Sequence, residues 1–440
     1  MPEDVAGFRY WEVIFGESGE IVEQAALQRL LSELPGQGLS DLFVFSHGWN
    51  NDHARARRLY ADFFGEFRGL LDAPNLPVAR QARPGLIGVI WPSMRWADEP
   101  PPTAARGGAA AAHPAAQAVS ERQLVTELKS VFADPKRREA LDELADLLDR
   151  RPREQAALER FHELMRVVAS GPELATGVDG AEQAALLEDD PAIVFERFGR
   201  AAAPTRREGA ASLQDQFTRL WNGAREALRQ ATYFEMKKRA GVVGQQGLGP
   251  LLGRLAETQQ AVRLHLLGHS FGARLVSFSL AGLAVDRGSP VKSLTLLQGA
   301  FSHFAFADAL PHDPGRAGAL AGMPARVDGP ILVTHTRWDT ALSRWYPRAS
   351  FVGRQDAAAN DPVFDRWGAM GGDGAQAVNA ASEQLGGVGQ PYPFAPGKFI
   401  NLDGNALMKR GEPPSGAHGD IIYPQIAWAV LSAAGITGRQ

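Results

Sequence analysis

Seven short apolar runs, each bounded by turn-forming residues, constrain the fold of this 440-residue chain more than any other feature. They lie at 8–15, 41–46, 85–91, 262–267, 292–298, 330–335 and 398–402. Several are continuously apolar, as strands are when helices cover both faces of a parallel sheet. Helical patterns alternate with these runs, at 51–72, 213–238, 271–285 and 420–434. We therefore expect an α/β protein built on a doubly wound, mostly parallel sheet.

The alternation of strand and helix breaks between residues 97 and 212. The first part of this stretch, 98–118, is rich in proline, alanine and glycine, a composition typical of linkers. Residues 120–170 then place apolar side chains three and four positions apart, which predicts amphipathic helices. We expect one α/β domain formed by 1–96 and 213–440, interrupted by a linker and helical insertion at 97–212.

The composition excludes several classes of protein and of site. With 45% hydrophobic and 22% charged residues, the chain is typical of soluble globular proteins rather than of disordered ones. The net charge of −4, and the lack of a basic run interleaved with aromatic residues, argue against a nucleic-acid partner. No cysteine is present, which excludes disulfides, thiolate metal sites and a cysteine nucleophile.

The sequence also predicts a compartment. Its first residues, MPEDVAGFRYWEVIFG, carry acids where a secretory signal needs basic residues, so we expect no signal peptide. An uninterrupted apolar run of roughly 18 residues does not occur, which argues against an integral membrane segment. We therefore expect a cytoplasmic protein, with export by a route that needs no signal peptide as the alternative.

The segment VRLHLLGHSFGARLVSFSLAGL contains the most informative motif, a G-x-S-x-G pattern formed by Gly268, Ser270 and Gly272. The pattern follows an apolar strand and opens an apolar helix, which is the setting of a nucleophile elbow. The tight turn lifts the serine clear of the sheet, and the glycines let neighbouring backbone approach closely. The amide of Phe271, at the start of the helix, would hold an oxyanion. The alternative interpretation is a glycine-rich turn with an ordinary serine.

GHSFGAR after a buried strand resembles the α/β-hydrolase family, and the helix before it, ATYFEMKKRAGVVG, resembles that of uncharacterised bacterial members. In that family an earlier strand ends in His-Gly, followed by an oxyanion-hole residue. The matching segment here is SHGW, with His47, Gly48 and Trp49. The resemblance implies an oxyanion hole made by the backbone N–H groups of Phe271 and Trp49. The alternative is a turn histidine and a core tryptophan.

A serine hydroxyl needs a general base, which is itself oriented by an acid. The family orders these residues as serine, acid, histidine. The histidines that follow the motif are His303, His312, His335 and His418. His418, in GAHGD after the last predicted strand, matches the family's base. Asp339, in HTRWD after the strand PILVTH, matches the acid, and the alternative acids are Asp308, Asp403 and Asp365.

The other histidines near these motifs favour supporting roles. His265 lies in the strand before the elbow and His269 within it, so both are expected to pack or to support the site. His47, His53 and Asp52 cluster in HGWNNDH, but the two histidines are six residues apart and no further ligands lie nearby. We therefore expect no metal site, and no cofactor.

The resemblance implies a serine hydrolase that cleaves a carboxylic ester, or a related acyl bond, through an acyl-enzyme on Ser270. The substrate would be a small-molecule or lipid ester. Lipase or phospholipase, thioesterase, amidase and acyltransferase activities use the same parts and remain alternatives. A binding scaffold that keeps the fold without catalysis is the alternative from another class. The insertion at 97–212 departs from the family, whose cap commonly follows the sixth strand. Its amphipathic spacing and the linker before it lead to the hypothesis that its helices form a lid over Ser270.

Overall fold

The computed structural model describes residues 3–78, 81–93, 120, 122, 125, 128–170, 190–202, 213–284, 288–342, 368–411 and 415–437. The predicted linker at 98–118 and the alternative acid Asp365 lie outside these residues.

The described residues form a nine-stranded sheet whose spatial order is β1-β2-β4-β3-β5-β6-β7-β9-β8. Its strands are β1 (Glu3–Val5), β2 (Phe8–Ile14), β3 (Asp41–Ser46), β4 (Pro84–Ile90), β5 (Arg263–His269), β6 (Val291–Leu297), β7 (Ile331–His335), β8 (Ala381–Gln384) and β9 (Phe399–Asp403). Among these nine described strands, the pairing of β1 with β2 is antiparallel and the other pairings are parallel. The seven predicted strands are all present, so the predicted α/β class and the mostly parallel sheet are confirmed.

Helices cover both faces of the sheet. The helices of ten or more residues in the described part of the chain, some of which pack on other helices, are α1 (Gln24–Glu33), α2 (His53–Asp72), α3 (Pro135–Arg150), α4 (Gln155–Ala169), α5 (Pro191–Ala202), α6 (Leu213–Val242), α7 (Gly249–Thr258), α8 (Phe271–Gly282) and α9 (Pro424–Ala433). The central strand β3 shows why both faces are apolar, since every residue in it is buried. Leu42 and Val44 pack into the apolar cluster beneath α7 and α8, and Phe43 and Phe45 into the cluster beneath α2 and α9.

The order of the strands reverses beside β3. The chain passes from β3 to β4 on one side, and β5, β6 and β7 later build outward on the other side. The carboxyl ends of β3 and β5 therefore lie next to each other, with Ser46 paired to Gly268. Open α/β sheets bind their ligands at such a switch point, beyond the carboxyl ends of the strands.

Helices α3, α4 and α5 belong to the predicted insertion, and they pack against α6. The rings of Phe161 and Trp221 lie 5.6 Å apart, and Arg137 forms an ion pair of 2.5 Å with the buried Glu235. The apolar residues of these helices belong to the same buried cluster as one face of the sheet. The division into domains, and the covering of Ser270 by these helices, stay predictions.

Several elements were not predicted from the sequence. The edge strands β1 and β8 are short and mostly exposed, so they carry no apolar run. Helices α1 and α7 were also not predicted. Among the described residues, no helix is both long and apolar enough to span a membrane.

Candidate active site

Ser270 lies at the turn between β5 and α8, in a backbone conformation that side chains rarely adopt. Its φ is 57° and its ψ is −121°. A non-glycine residue in such a region carries about 1–3 kcal/mol of strain, which the surrounding structure must hold. Two backbone hydrogen bonds do so, since Ser270 N–H donates to the Leu297 carbonyl at 3.1 Å and Ala300 N–H donates to the Ser270 carbonyl at 3.2 Å.

The two motif glycines lie where no side chain fits. A Cβ at Gly268 would lie 2.3 Å from the carbonyl oxygen of Gly272, and a Cβ at Gly272 would lie 2.0 Å from the carbonyl oxygen of Ser46. Both distances are far below van der Waals contact, so the turn could not close around any larger residue. The G-x-S-x-G pattern is therefore a steric requirement of this turn.

The structure brings Ser270, His418 and Asp339 together, although they are far apart in the sequence. His418 Nε2 lies 2.8 Å from Ser270 Oγ, and His418 Nδ1 lies 2.7 Å from Asp339 Oδ2. His418 belongs to the short turn Gly416–Gly419, and Asp339 follows the end of β7 by four residues. These distances form one continuous chain of hydrogen bonds from hydroxyl to carboxylate.

The alternative residues lie elsewhere. Asp308 is exposed, and Asp403 accepts hydrogen bonds from Asn405 N–H at 2.7 Å and from Gln384 Nε2 at 3.2 Å. His303 is paired with Asp373, its Nδ1 lying 2.8 Å from Asp373 Oδ2.

Asp339 is fully buried, and burial raises its pKa, while His418 beside it acts in the opposite direction. Its Oδ1 accepts the backbone N–H of Leu342 at 3.0 Å. With His418 Nδ1–H donating to Asp339, the other ring nitrogen carries a lone pair toward Ser270 Oγ. This tautomer can take the hydroxyl proton.

The loop after β3 lies directly against the serine. A Cβ at Gly48 would lie 2.6 Å from Ser270 Cβ and 3.2 Å from Ser270 Oγ. The next residue is Trp49, whose ring is 6.4 Å from that of Phe271. Phe271 is the first residue of α8, so its N–H has no acceptor within the helix. The two residues implied as oxyanion donors are therefore each next in the chain to a residue at this contact, Phe271 after Ser270 and Trp49 after Gly48.

His47 supports this loop from the protein interior. Its Nδ1–H donates to the Gly48 carbonyl at 2.9 Å, and Trp91 stacks on the ring with centroids 5.6 Å apart. The indole N–H of Trp91 donates to the His47 carbonyl at 2.9 Å. Burial lowers the pKa of His47 to about 4. His47 is thus a neutral residue that stabilises the loop by hydrogen bonds.

His269 supports His418 in a similar way. Its Nε2–H donates to the backbone carbonyl of His418 at 2.8 Å, and the two rings are 5.1 Å apart. Burial lowers the pKa of His269 to about 3. This neutral ring fixes the loop that carries His418 without adding a positive charge.

Because of these two histidines, we expect the free energy of unfolding to decrease as the pH falls. Because the folded-state pKa values of His47 and His269 lie below the ordinary value of about 6.5, the unfolded chain binds more protons. Their stabilising contribution is complete above about pH 6.5 and falls with decreasing pH, by about 1.4 kcal/mol per pH unit for each ring, toward the folded-state values.

Nitrogen-15 NMR of labelled histidines measures this effect directly. Both rings are expected to stay neutral at pH 5, with the proton of His47 on Nδ1 and that of His269 on Nε2. The unfolded protein in urea serves as the control, where both should titrate as free histidines do. Titration of either ring near pH 6.5 in the folded protein would contradict this expectation.

A second Asp–His–Ser set lies in the amino-terminal halves of β3, β5 and β6, away from the strand ends that carry Ser270. His265 Nε2 is 2.9 Å from Asp41 Oδ1, and His265 Nδ1 is 2.9 Å from Ser293 Oγ. All three side chains are fully buried, and Ser293 lies inside β6 rather than at a strained turn. Because these side chains are buried, a substrate cannot reach them. Their hydrogen bonds instead link β3, β5 and β6.

The side chains of HGWNNDH point to different partners. His53 Nε2 pairs with Glu12 at 2.5 Å, and Asp52 accepts the N–H of Arg55 at 2.9 Å to cap α2. His47 faces the interior, as described above. In the described part of the chain, no three histidine, aspartate or glutamate side chains are grouped to hold a metal ion.

The sequence analysis did not single out Gln298, which the structure places in the site. This buried residue directly follows β6, and its side-chain N–H group donates to Asp339 Oδ2 at 3.2 Å. A polar residue at the carboxyl end of a buried strand, directly after Leu296 and Leu297, was the available signal.

The contact between Gly48 and the serine leads to a prediction. Gly48→Ala is expected to push Ser270 Oγ away from His418, lowering kcat on the order of 100-fold, and to destabilise the fold by about 1–3 kcal/mol. Ester hydrolysis and thermal unfolding measure the two effects. Gly65→Ala in α2 is the matched control, because nothing lies within 4 Å of its Cβ position. Unchanged activity in Gly48→Ala would show that the loop does not press on the serine.

Comparison of the chain with protein-family models, with curated proteins and with solved structures finds no match.

Proposed function

We propose that this protein is a serine hydrolase with the α/β-hydrolase fold, and that it cleaves a carboxylic ester or a related acyl bond. One observation carries the proposal: Ser270 Oγ, His418 and the buried Asp339 form a hydrogen-bonded chain that begins on a strained strand-to-helix turn. The order serine, acid, histidine along the chain, and the position at the switch point of a parallel sheet, support it further.

The reaction would proceed through an acyl-enzyme. Ser270 Oγ attacks the carbonyl carbon while His418 Nε2 takes the hydroxyl proton, and the carbonyl oxygen becomes an oxyanion. The backbone N–H groups of Phe271 and Trp49 stabilise that oxyanion, each by about 3–4 kcal/mol in the transition state. The tetrahedral intermediate collapses, and His418 donates its proton to the leaving alcohol. Water, activated by His418, then releases the acid from Ser270.

Asp339 would stay ionised throughout the cycle. It holds the tautomer of His418 and stabilises the imidazolium ion that forms when the ring takes a proton. Its burial strengthens the electrostatic interaction with His418, because little water competes for the carboxylate.

A p-nitrophenyl ester series from short to long acyl chains, with a matched thioester, tests the proposal. We expect saturable hydrolysis by the wild type, and the profile over chain length separates an esterase from a lipase. Faster cleavage of the thioester would assign a thioesterase. If the protein hydrolyses none of these compounds and its serine is not labelled by a fluorophosphonate, the proposal fails in favour of a binding scaffold.

A further inference from the structure

Gln298 occupies an unusual position directly after β6. It is fully buried, and its φ of 45° lies in the left-handed region, which residues other than glycine rarely adopt. Two neighbours hold it there. Its backbone N–H donates to Thr334 Oγ1 at 3.1 Å, and Gly371 packs so closely that a Cβ at that position would lie 2.6 Å from the carbonyl carbon of Gln298.

The side-chain amide of Gln298 links two parts of the site. Nε2 lies 3.2 Å from Asp339 Oδ2 and 2.8 Å from the carbonyl oxygen of Ala417, the residue before His418. Both neighbours are acceptors, so only the NH₂ group can face them, and the orientation of the amide is fixed. Among the described residues, Oε1 has no hydrogen-bond partner.

This geometry holds the acid and the base in register. Asp339 Oδ2 accepts hydrogen bonds both from Gln298 Nε2–H and from His418 Nδ1–H. The second bond, to Ala417, fixes the backbone that carries the imidazole. Each of the two hydrogen bonds therefore restrains one partner of the same contact.

We propose that Gln298 is a positioning residue for the Asp339–His418 pair, which it holds in catalytic geometry while it stabilises the ionised carboxylate. The inference rests on the proposed function, because it assigns Asp339 and His418 the roles of acid and base. Supporting hydrogen bonds of this kind fix the orientation of catalytic groups within narrow limits.

Asp339 also accepts hydrogen bonds from His418 and from the backbone N–H groups of Leu342 and Ala341, and the amide of Gln298 adds a donor to the oxygen that faces His418. Burial raises the pKa of Asp339, and a hydrogen bond donated to a carboxylate favours its ionised form. In the described part of the chain, the ionisable group that faces this carboxylate is His418, and beyond that ring lies His269, which burial keeps neutral. Without the amide donor, the pKa of Asp339 should rise further.

The test compares Gln298→Met, which keeps the length of the side chain but removes the donor, with Thr334→Val. The latter removes only the hydrogen bond to the backbone of Gln298 and serves as the structural control. For Gln298→Met we expect kcat to fall on the order of 10- to 100-fold with KM within about two-fold of the wild type. The acid limb of the kcat/KM profile should move up by about one pH unit. Should Gln298→Met not fold, Gln298→Asn replaces it, since asparagine tolerates left-handed backbone and is too short for both acceptors.

Carbon-13 NMR of the Asp339 carboxyl group provides a readout that does not depend on activity. Its titration midpoint should rise in Gln298→Met and stay unchanged in Thr334→Val. An unchanged midpoint and kcat in Gln298→Met, or equal shifts in both variants, would overturn the inference. If the wild type hydrolyses no ester or thioester and is not labelled by a fluorophosphonate, but the midpoint moves only in the Gln298 variant, the proposed function fails while the positioning of the pair by Gln298 holds.

Discussion

Ser270→Ala is expected to lower kcat for ester hydrolysis by about 10⁴- to 10⁶-fold, with little change in substrate binding. The substitution removes the oxygen that is proposed to attack the substrate, while the alanine Cβ keeps the place of the serine Cβ against Gly48. Residual turnover would come only from the oxyanion donors and from binding. Steady-state kinetics on the best ester of the series measures the loss.

Ser293→Ala is the matched control for this prediction, since Ser293 also contacts a histidine that pairs with an aspartate. It should lose some stability but keep its activity. Activity in Ser270→Ala within ten-fold of the wild type would mean that another group carries the reaction.

Asp339→Asn is expected to lower kcat by about 10⁴-fold while the fold is retained. The asparagine NH₂ group can donate to His418 Nδ1, which would move the ring proton to Nε2. That nitrogen would then point a proton at Ser270 Oγ instead of a lone pair, so it could not act as a base. Kinetics together with circular dichroism separates this effect from unfolding.

Asp308→Asn is the control, because Asp308 is the alternative acid suggested by the sequence and its side chain is exposed. Its activity should match that of the wild type. A large loss in Asp308→Asn with little loss in Asp339→Asn would reverse the assignment of the acid.

The strands that the sequence predicts are those buried on both faces. β3 contains the apolar run LFVF and β4 the run GLIGVI because helices cover both sides of the sheet, and such runs are visible without knowledge of the partners. β8, with the sequence ASEQ, lies at the edge of the sheet and exposes most of its side chains. Its pairing with β9 depends on backbone hydrogen bonds, which leave no pattern in the side chains.

The site divides in the same way. Ser270 can be identified from a local motif, because the turn excludes side chains at Gly268 and Gly272 and so requires glycine at both positions. His418 and Asp339 could be selected from the chain order that the family resemblance implies. The role of Gln298 could not, since its contacts reach 41 residues to Asp339 and 119 residues to Ala417, and only the folded sheet brings these groups together.

The most direct test of the proposed function is labelling of the wild type by a fluorophosphonate, followed by intact mass measurement and peptide mapping. The proposed chemistry predicts one adduct per chain, on Ser270, with no labelling of Ser270→Ala or of the heat-unfolded protein. An adduct on any other residue, or no adduct on a wild type whose folding has been verified, would contradict the assignment of Ser270 as an activated nucleophile.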